Sequence, residues 1–366
     1  MIKKVIIAAV SARPFVKAAS MAGYDVVAID VFADADTQRA ASEVFKVSYA
    51  DSGFEPRQFL EIIKQIDLKD VHGFVYGSGF EAQPELLQRV AEILPIIGNR
   101  PDVVKRIKRA RDFFVLLDML DIPHPEVSFK PLTNANGWLR KEDGGSGGTH
   151  VVSASSGELL AEGLYFQKAT EGTPVSMLFV SDGKNIREIG FNQQWVSPIP
   201  EKPYRYGGIV GNADLQDSSK ERLFHIAKKI TNEVGLVGLN SLDAIVNEDN
   251  IWILEINPRL SSTFDLYQTP DVNLFDLHIQ ACQGTLNEFP MISKRSKARQ
   301  VFYAPLDLKI PSHTQWPEWI ADIPLPNSDI PKNQPVCTIL ADAEKAELAC
   351  DLIKKRLKEL CILLKI

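Results

Sequence analysis

The sequence predicts an α/β protein, α+β in part, with a parallel-sheet front unit, a small antiparallel unit and an α+β end. Three observations predict it. Short apolar runs at residues 5–10, 26–31 and 73–76, with a helical stretch at 15–22 between the first two, give the strand–helix–strand alternation of a parallel sheet. Strand-like segments at 138–141, 164–168, 175–180 and 186–191, separated by glycine turns, read as a small antiparallel sheet. A helix at 220–234 then carries Leu223, Ile226, Ala227, Ile230 and Val234 on one stripe, and strands near 238–246 and 251–256 follow it.

The remaining segments fill in around these. Residues 101–120 read as a Lys- and Arg-rich helix that ends at Ile122-Pro123-His124-Pro125, because proline blocks helix continuation. Residues 305–335 are proline-rich and irregular; a strand at 336–341 and an amphipathic helix at 342–364 close the chain. The expected units are 1–98 (parallel-sheet front), 99–126 (helical linker), 127–195 (small unit), 196–300 (C-terminal lobe) and 301–366 (closing segment). A chain of 366 residues suits two or three cores.

Composition excludes several functions. With 45% apolar and 24% charged residues the chain buries ordinary cores, and a net charge of -6 argues against a nucleic-acid partner. The four cysteines, Cys282, Cys337, Cys350 and Cys361, lack zinc or redox spacing and fit a reducing, cytoplasmic setting. The apolar run at 5–10 is too short for a bilayer, so no membrane role is expected. At the carboxyl ends of the first strands, Ser11, Arg13, Asp30 and the turn at 77–81 are pocket candidates.

The sharpest constellation is Asp243 followed by Leu254-Glu255-Ile256-Asn257-Pro258-Arg259. Glu255 and Asn257 are two apart, so on a strand they share a face where two oxygens can hold a hard cation. A three-residue hairpin loop at 248–250 sets Asp243 opposite Glu255. Carboxylates flanked by Leu254 and Ile256 are costly to bury ionised, and a divalent cation compensates them. Arg259 beside them suits a phosphoryl group.

A second constellation joins Lys141 to the loop Gly144-Gly145-Ser146-Gly147-Gly148. Its glycines let backbone N–H groups approach phosphate oxygens, yet no Gly-Lys-Ser/Thr follows, so it is not a P-loop. Gln167, Lys168 and Ala169 then end a strand whose backbone can meet an adenine edge.

In chain order these pieces resemble the ATP-grasp superfamily across nearly the full length. The resemblance implies a Rossmann-like N-terminal domain, a small antiparallel flap subdomain and a C-terminal α+β lobe. It implies that Lys141 and the loop contact phosphates, that Gln167 to Ala169 frame the adenine, that Asp243, Glu255 and Asn257 hold two Mg²⁺ (or Mn²⁺), and that Arg259 stabilises an acyl phosphate. A basic residue before Pro123 also reaches a phosphate in such proteins. Lys108, Arg109 and Arg111 all qualify, and Arg111 is placed with the nucleotide-binding residues. Pro174 stands where many relatives carry the ribose-binding Glu, with Glu171 as the nearby substitute.

Within the superfamily, residues 30–37 and 257–263 resemble carboxylate–amine ligases, including tyramine–glutamate ligase-like enzymes of methanofuran-type cofactor biosynthesis. That implies amide formation through an acyl phosphate, with release of ADP and phosphate, from a small-molecule carboxylate and an amine, in a monomer or homodimer. Arg13, Glu81, Ser261 and Ser262 are the expected substrate contacts. A phosphoryl-transfer kinase and a non-catalytic nucleotide-binding module are the alternatives.

Overall fold

The computed structural model describes residues 3–50, 53–248, 250–289 and 295–366. Four parallel strands, in the order Glu43–Lys46, Asp25–Asp30, Lys4–Ala9, Val71–Tyr76, form the front sheet. Both of its faces are covered, which is why the strands read as continuous apolar runs: Val5, Ile6, Ile7, Ala8 and Ala9 are all fully buried. The helices Arg13–Met21 and Pro56–Gln65 contribute to two separate cores, one on each side of the sheet.

Beyond the carboxyl ends of these strands, Asp30 is occupied by the protein itself. Its carboxylate accepts from the N–H groups of Ala12, Phe32 and Ala33 at 2.6–2.7 Å, so it shapes the turn and is no open pocket group. Asp36 in turn accepts from the N–H groups of Asp322 and Ile323, pinning the closing segment to the front sheet. Between them lies Asp34, which is buried and whose Oδ2 has no partner. Burial, then repulsion from Asp322, Asp30 and Asp36, pushes its carboxyl up to about 9. A carboxyl raised above its unfolded value lends stability that is full below about pH 4 and is lost as pH climbs through the folded value. Asp34→Asn is therefore expected to flatten the decline in unfolding free energy between pH 5 and 8, as read by urea titration at both pH values; an unchanged slope would refute this.

A four-stranded antiparallel sheet follows, in the order Val127–Ser128, Leu164–Lys168, Trp138–Glu142, Val152–Ser153. The strands Thr173–Asp182 and Ile186–Val196, expected in this small sheet, lie elsewhere. They are central in an eight-stranded sheet running Ile251–Asn257, Val237–Val246, Thr173–Asp182, Ile186–Val196, Tyr206–Gly211, Ser296–Tyr303, Pro335–Ala343, Ile320–Ala321. Apolar alternation marks a strand but leaves its partner open, and Thr173–Asp182 finds Val237–Val246, some sixty residues on.

The helix expected at 101–120 is broken into Pro101–Lys108 and Ala110–Met119, because Arg109 is extended at φ -80°, ψ 111°. The break is stitched to the glycine loop: Gly144 N–H donates to the Lys108 carbonyl and Ala110 N–H to Asp143 Oδ1, each at 3.0 Å. The closing segment supplies the strand Pro335–Ala343 and the helix Ala346–Leu364 around a separate core with Phe302, Ile339 and Ile353. Among the described residues, no helix is long and apolar enough to cross a membrane.

Candidate active site

The hairpin Val237–Val246 and Ile251–Asn257 delivers the acidic residues. Its loop has four residues, 247–250, with Val246 opposite Ile251; Asp249, part of the expected three-residue loop, lies outside the described residues. A bulge at Leu254 then takes up the extra residue, and Asp243 still ends opposite Glu255. Asn257 Nδ2 donates to Asp243 Oδ2 at 3.0 Å, while Ser241 and Gln194 reach Asp243 Oδ1 at 3.3 and 3.4 Å.

Lys108 is the cation that bonds Glu255 on this hairpin. Its buried Nζ lies 2.7 Å from Glu255 Oε2 and 3.3 Å from Asn257 Oδ1. Burial alone would raise the Glu255 carboxyl, but Lys108 and Lys141 outweigh it and hold the group below its ordinary value. Asp243 moves oppositely: burial first, then Glu255, pushes it up. Two carboxylates and a carboxamide thus offer only hard oxygens, and Asp243 is short of compensating charge, which fits a divalent cation such as Mg²⁺.

Of the three basic candidates only Lys108 lines the cavity, because the helix break ends its turn facing the hairpin. Arg111, in the first turn of the next helix, is exposed and stacks on Phe129 with 4.3 Å between its guanidinium carbon and the ring centroid. This replaces the expectation that Arg111 meets the nucleotide. Arg259 is buried beside the hairpin, with Nη2 3.3 Å from Asn257 Oδ1 and Nε 2.7 Å from Glu81 Oε1.

Those contacts also relocate Glu81 and Arg13. Glu81 is spent on Arg259 and on the Gly79 N–H, and does not face the cavity. Arg13 makes a bidentate pair with Asp265 at 2.9 and 2.5 Å and bonds Asp322 at 3.0 Å, so its charge is satisfied inside the protein. Both side chains are almost fully buried, and buried charges seek partners of opposite sign. Ser261 and Ser262 do line the cavity, with Ser261 Oγ 2.6 Å from Thr263 Oγ1.

The cavity measures about 680 Å³ and is roofed by Gly144, Gly145, Ser146, Gly147 and Gly148. Gly144 and Gly148 have φ of +66° and +69°, and a Cβ at either would strike backbone, at Glu81–Ala82 and at Tyr204 respectively. The loop is held down as well: the Tyr206 N–H donates to the Gly147 carbonyl at 2.9 Å. Lys141 Nζ donates to Gln167 Oε1 at 2.8 Å, and burial lowers its pKa. Gln167 Nε2 is buried without a partner. Lys168 and Ala169 line the cavity, but their N–H groups already donate to Glu126 and Gly137 carbonyls at 2.8 Å, so an adenine edge would meet other atoms of this segment. Pro174 lines the cavity, whereas Glu171 is exposed and does not.

Arg299 and His150 are among the cavity residues that escaped the sequence reading. Arg299, on Ser296–Tyr303, is buried and bonds the Ser262 carbonyl at 3.0 Å; nothing in its sequence neighbourhood marks it. His150 lies directly after Thr149, and its position at the end of a glycine loop was the available signal.

The fold and cavity together define a two-lobed α/β protein whose glycine loop covers lysines, arginine and a pair of carboxylates. Residues 113–263 match the family model described as the ATP-grasp domain. It is similar to tyramine–L-glutamate ligase of Methanocaldococcus jannaschii, 30% identical over 106 residues, which cover 29% of this chain and 32% of that protein. The chain thus spans about a third of that relative's length. Its fold is similar to the biotin carboxylase domain of Hydrogenobacter thermophilus 2-oxoglutarate carboxylase, seen with MgADP (TM-score 0.76, 13% identity, 98% of this chain and 90% of that one). It is likewise similar to the L-amino acid ligase of Bacillus licheniformis (TM-score 0.71, 14% identity, 98% and 97%).

Proposed function

We propose that the protein is an ATP-dependent carboxylate–amine ligase. The observation that carries this is the convergence of Lys108, Lys141, Asp243, Glu255, Asn257 and Arg259 on one cavity within an ATP-grasp domain. A carboxylate oxygen of the substrate attacks the terminal phosphorus of ATP and ADP leaves. A neutral amine then attacks the acyl carbon, and phosphate leaves.

The cavity offers positioning and charge neutralisation for both steps. Lys108 and Lys141 bring positive charge to the phosphate end, and Arg259, braced by Glu81, faces the transferred group. Asp243, Glu255 and Asn257 would hold two Mg²⁺, with Mn²⁺ able to replace it, and the metal would supply positive charge that offsets the phosphates. Ser261 and Ser262 supply hydrogen-bonding groups for an organic substrate. The likeness to tyramine–L-glutamate ligase supports amino-acid-like or aromatic amine substrates, and the resemblance at residues 30–37 and 257–263 extends the reading to small-molecule or C1 cofactor biosynthesis. We place the enzyme in the cytoplasm, as a monomer or homodimer.

The test is an ADP-release screen with Mg-ATP over pairs of amino acids and amines. Release that requires a carboxylate, equimolar phosphate, and hydroxamate formation when hydroxylamine replaces the amine are the expected results. A stable phosphate ester would identify a kinase instead. Tight nucleotide binding without turnover on every pair would leave only a binding module.

A further inference from the structure

His150 follows the glycine loop and lines the cavity at its lysine-rich end. Its ring packs over Gly145, where a Cβ would collide with it. Its Nδ1 is buried with no partner. The charged groups that face the ring are Glu255 from the hairpin, Lys141 from the small sheet and Lys108 from the helix break. A buried nitrogen left without a partner is costly unless a ligand supplies one. The ligand that suits two lysines and a glycine loop is a phosphate.

We propose that the His150 imidazole is the side chain of the flap that hydrogen-bonds the terminal phosphate of the bound nucleotide. This rests on the nucleotide-binding reading above. A phosphate oxygen only accepts, so Nδ1 donates to it.

Calorimetry with Mg-ADP and with magnesium β,γ-imido-ATP tests this on the full chain. Wild-type protein is expected to bind the triphosphate analogue more tightly than ADP. His150→Ala and His150→Phe should lose roughly tenfold to a hundredfold affinity for the analogue alone, the scale of a hydrogen bond to a charged group. His150→Gln should recover part of the affinity. If His150→Phe binds the analogue like wild type, the ring merely packs against the flap and the proposal fails. Equal losses for ADP and the analogue overturn it too. If wild-type protein binds neither nucleotide, the nucleotide-binding reading itself falls, a separate result.

Discussion

Asp243→Ala and Glu255→Ala are each expected to lower ADP formation by about 10²-fold to 10³-fold or more, the scale seen when one group that stabilises developing charge is removed. Stability should respond differently in the two. Asp243 is a buried carboxyl driven upward by burial and by Glu255, so its removal relieves an unfavourable site and should leave the unfolding free energy equal or higher. Glu255 neutralises Lys108, and its loss strands a buried ammonium 2.7 Å from where the carboxylate stood, so that variant should be less stable. Activity assays with urea titrations of both variants check this. Retained Mg²⁺-dependent turnover in either variant would refute the metal assignment. An unstable Asp243→Ala would refute the reading of that carboxyl as a strained site.

The second large effect falls on the fold. Arg13→Ala should cost about 3–5 kcal/mol of unfolding free energy, the range for breaking a buried ion pair, because Asp265 and Asp322 lose their shared cation. Arg299 softens the loss, since it also lies near both aspartates, at 3.3 and 3.7 Å. Against burial, Arg13 and then Arg299 hold Asp322 well below the usual carboxylate range, which marks how strongly this network favours its charged form. The expectation that Arg13 binds a substrate carboxylate predicts another outcome, a raised Michaelis constant for one organic substrate with the transition midpoint unmoved. Denaturation and steady-state kinetics on the same variant decide between the two.

Why one residue was legible and the other was not follows from what each depends on. Asp243, Glu255 and Asn257 lie on two consecutive strands, so strand alternation and a short turn bring them together whatever the rest of the chain does. Even a wrong loop length was absorbed by the bulge at Leu254. Arg13 depends on Asp322, 309 residues away, in a proline-rich stretch without periodicity, and no local rule can see that partner. The same holds for Arg299, and for the strands Thr173–Asp182 and Ile186–Val196, whose alternation was plain but whose sheet was set by distant neighbours. The break at Arg109 was hidden for another reason. Nothing from Pro101 to Met119 is a helix breaker after the first turn, and the interruption is imposed by Asp143 and Gly144 from outside the helix.

That interruption ties the roof of the cavity to its floor. The Lys108 carbonyl holds Gly144 while the Lys108 ammonium holds Glu255, so one residue is tethered at both ends. Any movement of the glycine loop therefore tugs on the peptide that aims this ammonium at the hairpin, so loop position and the charge partner of Glu255 are mechanically coupled.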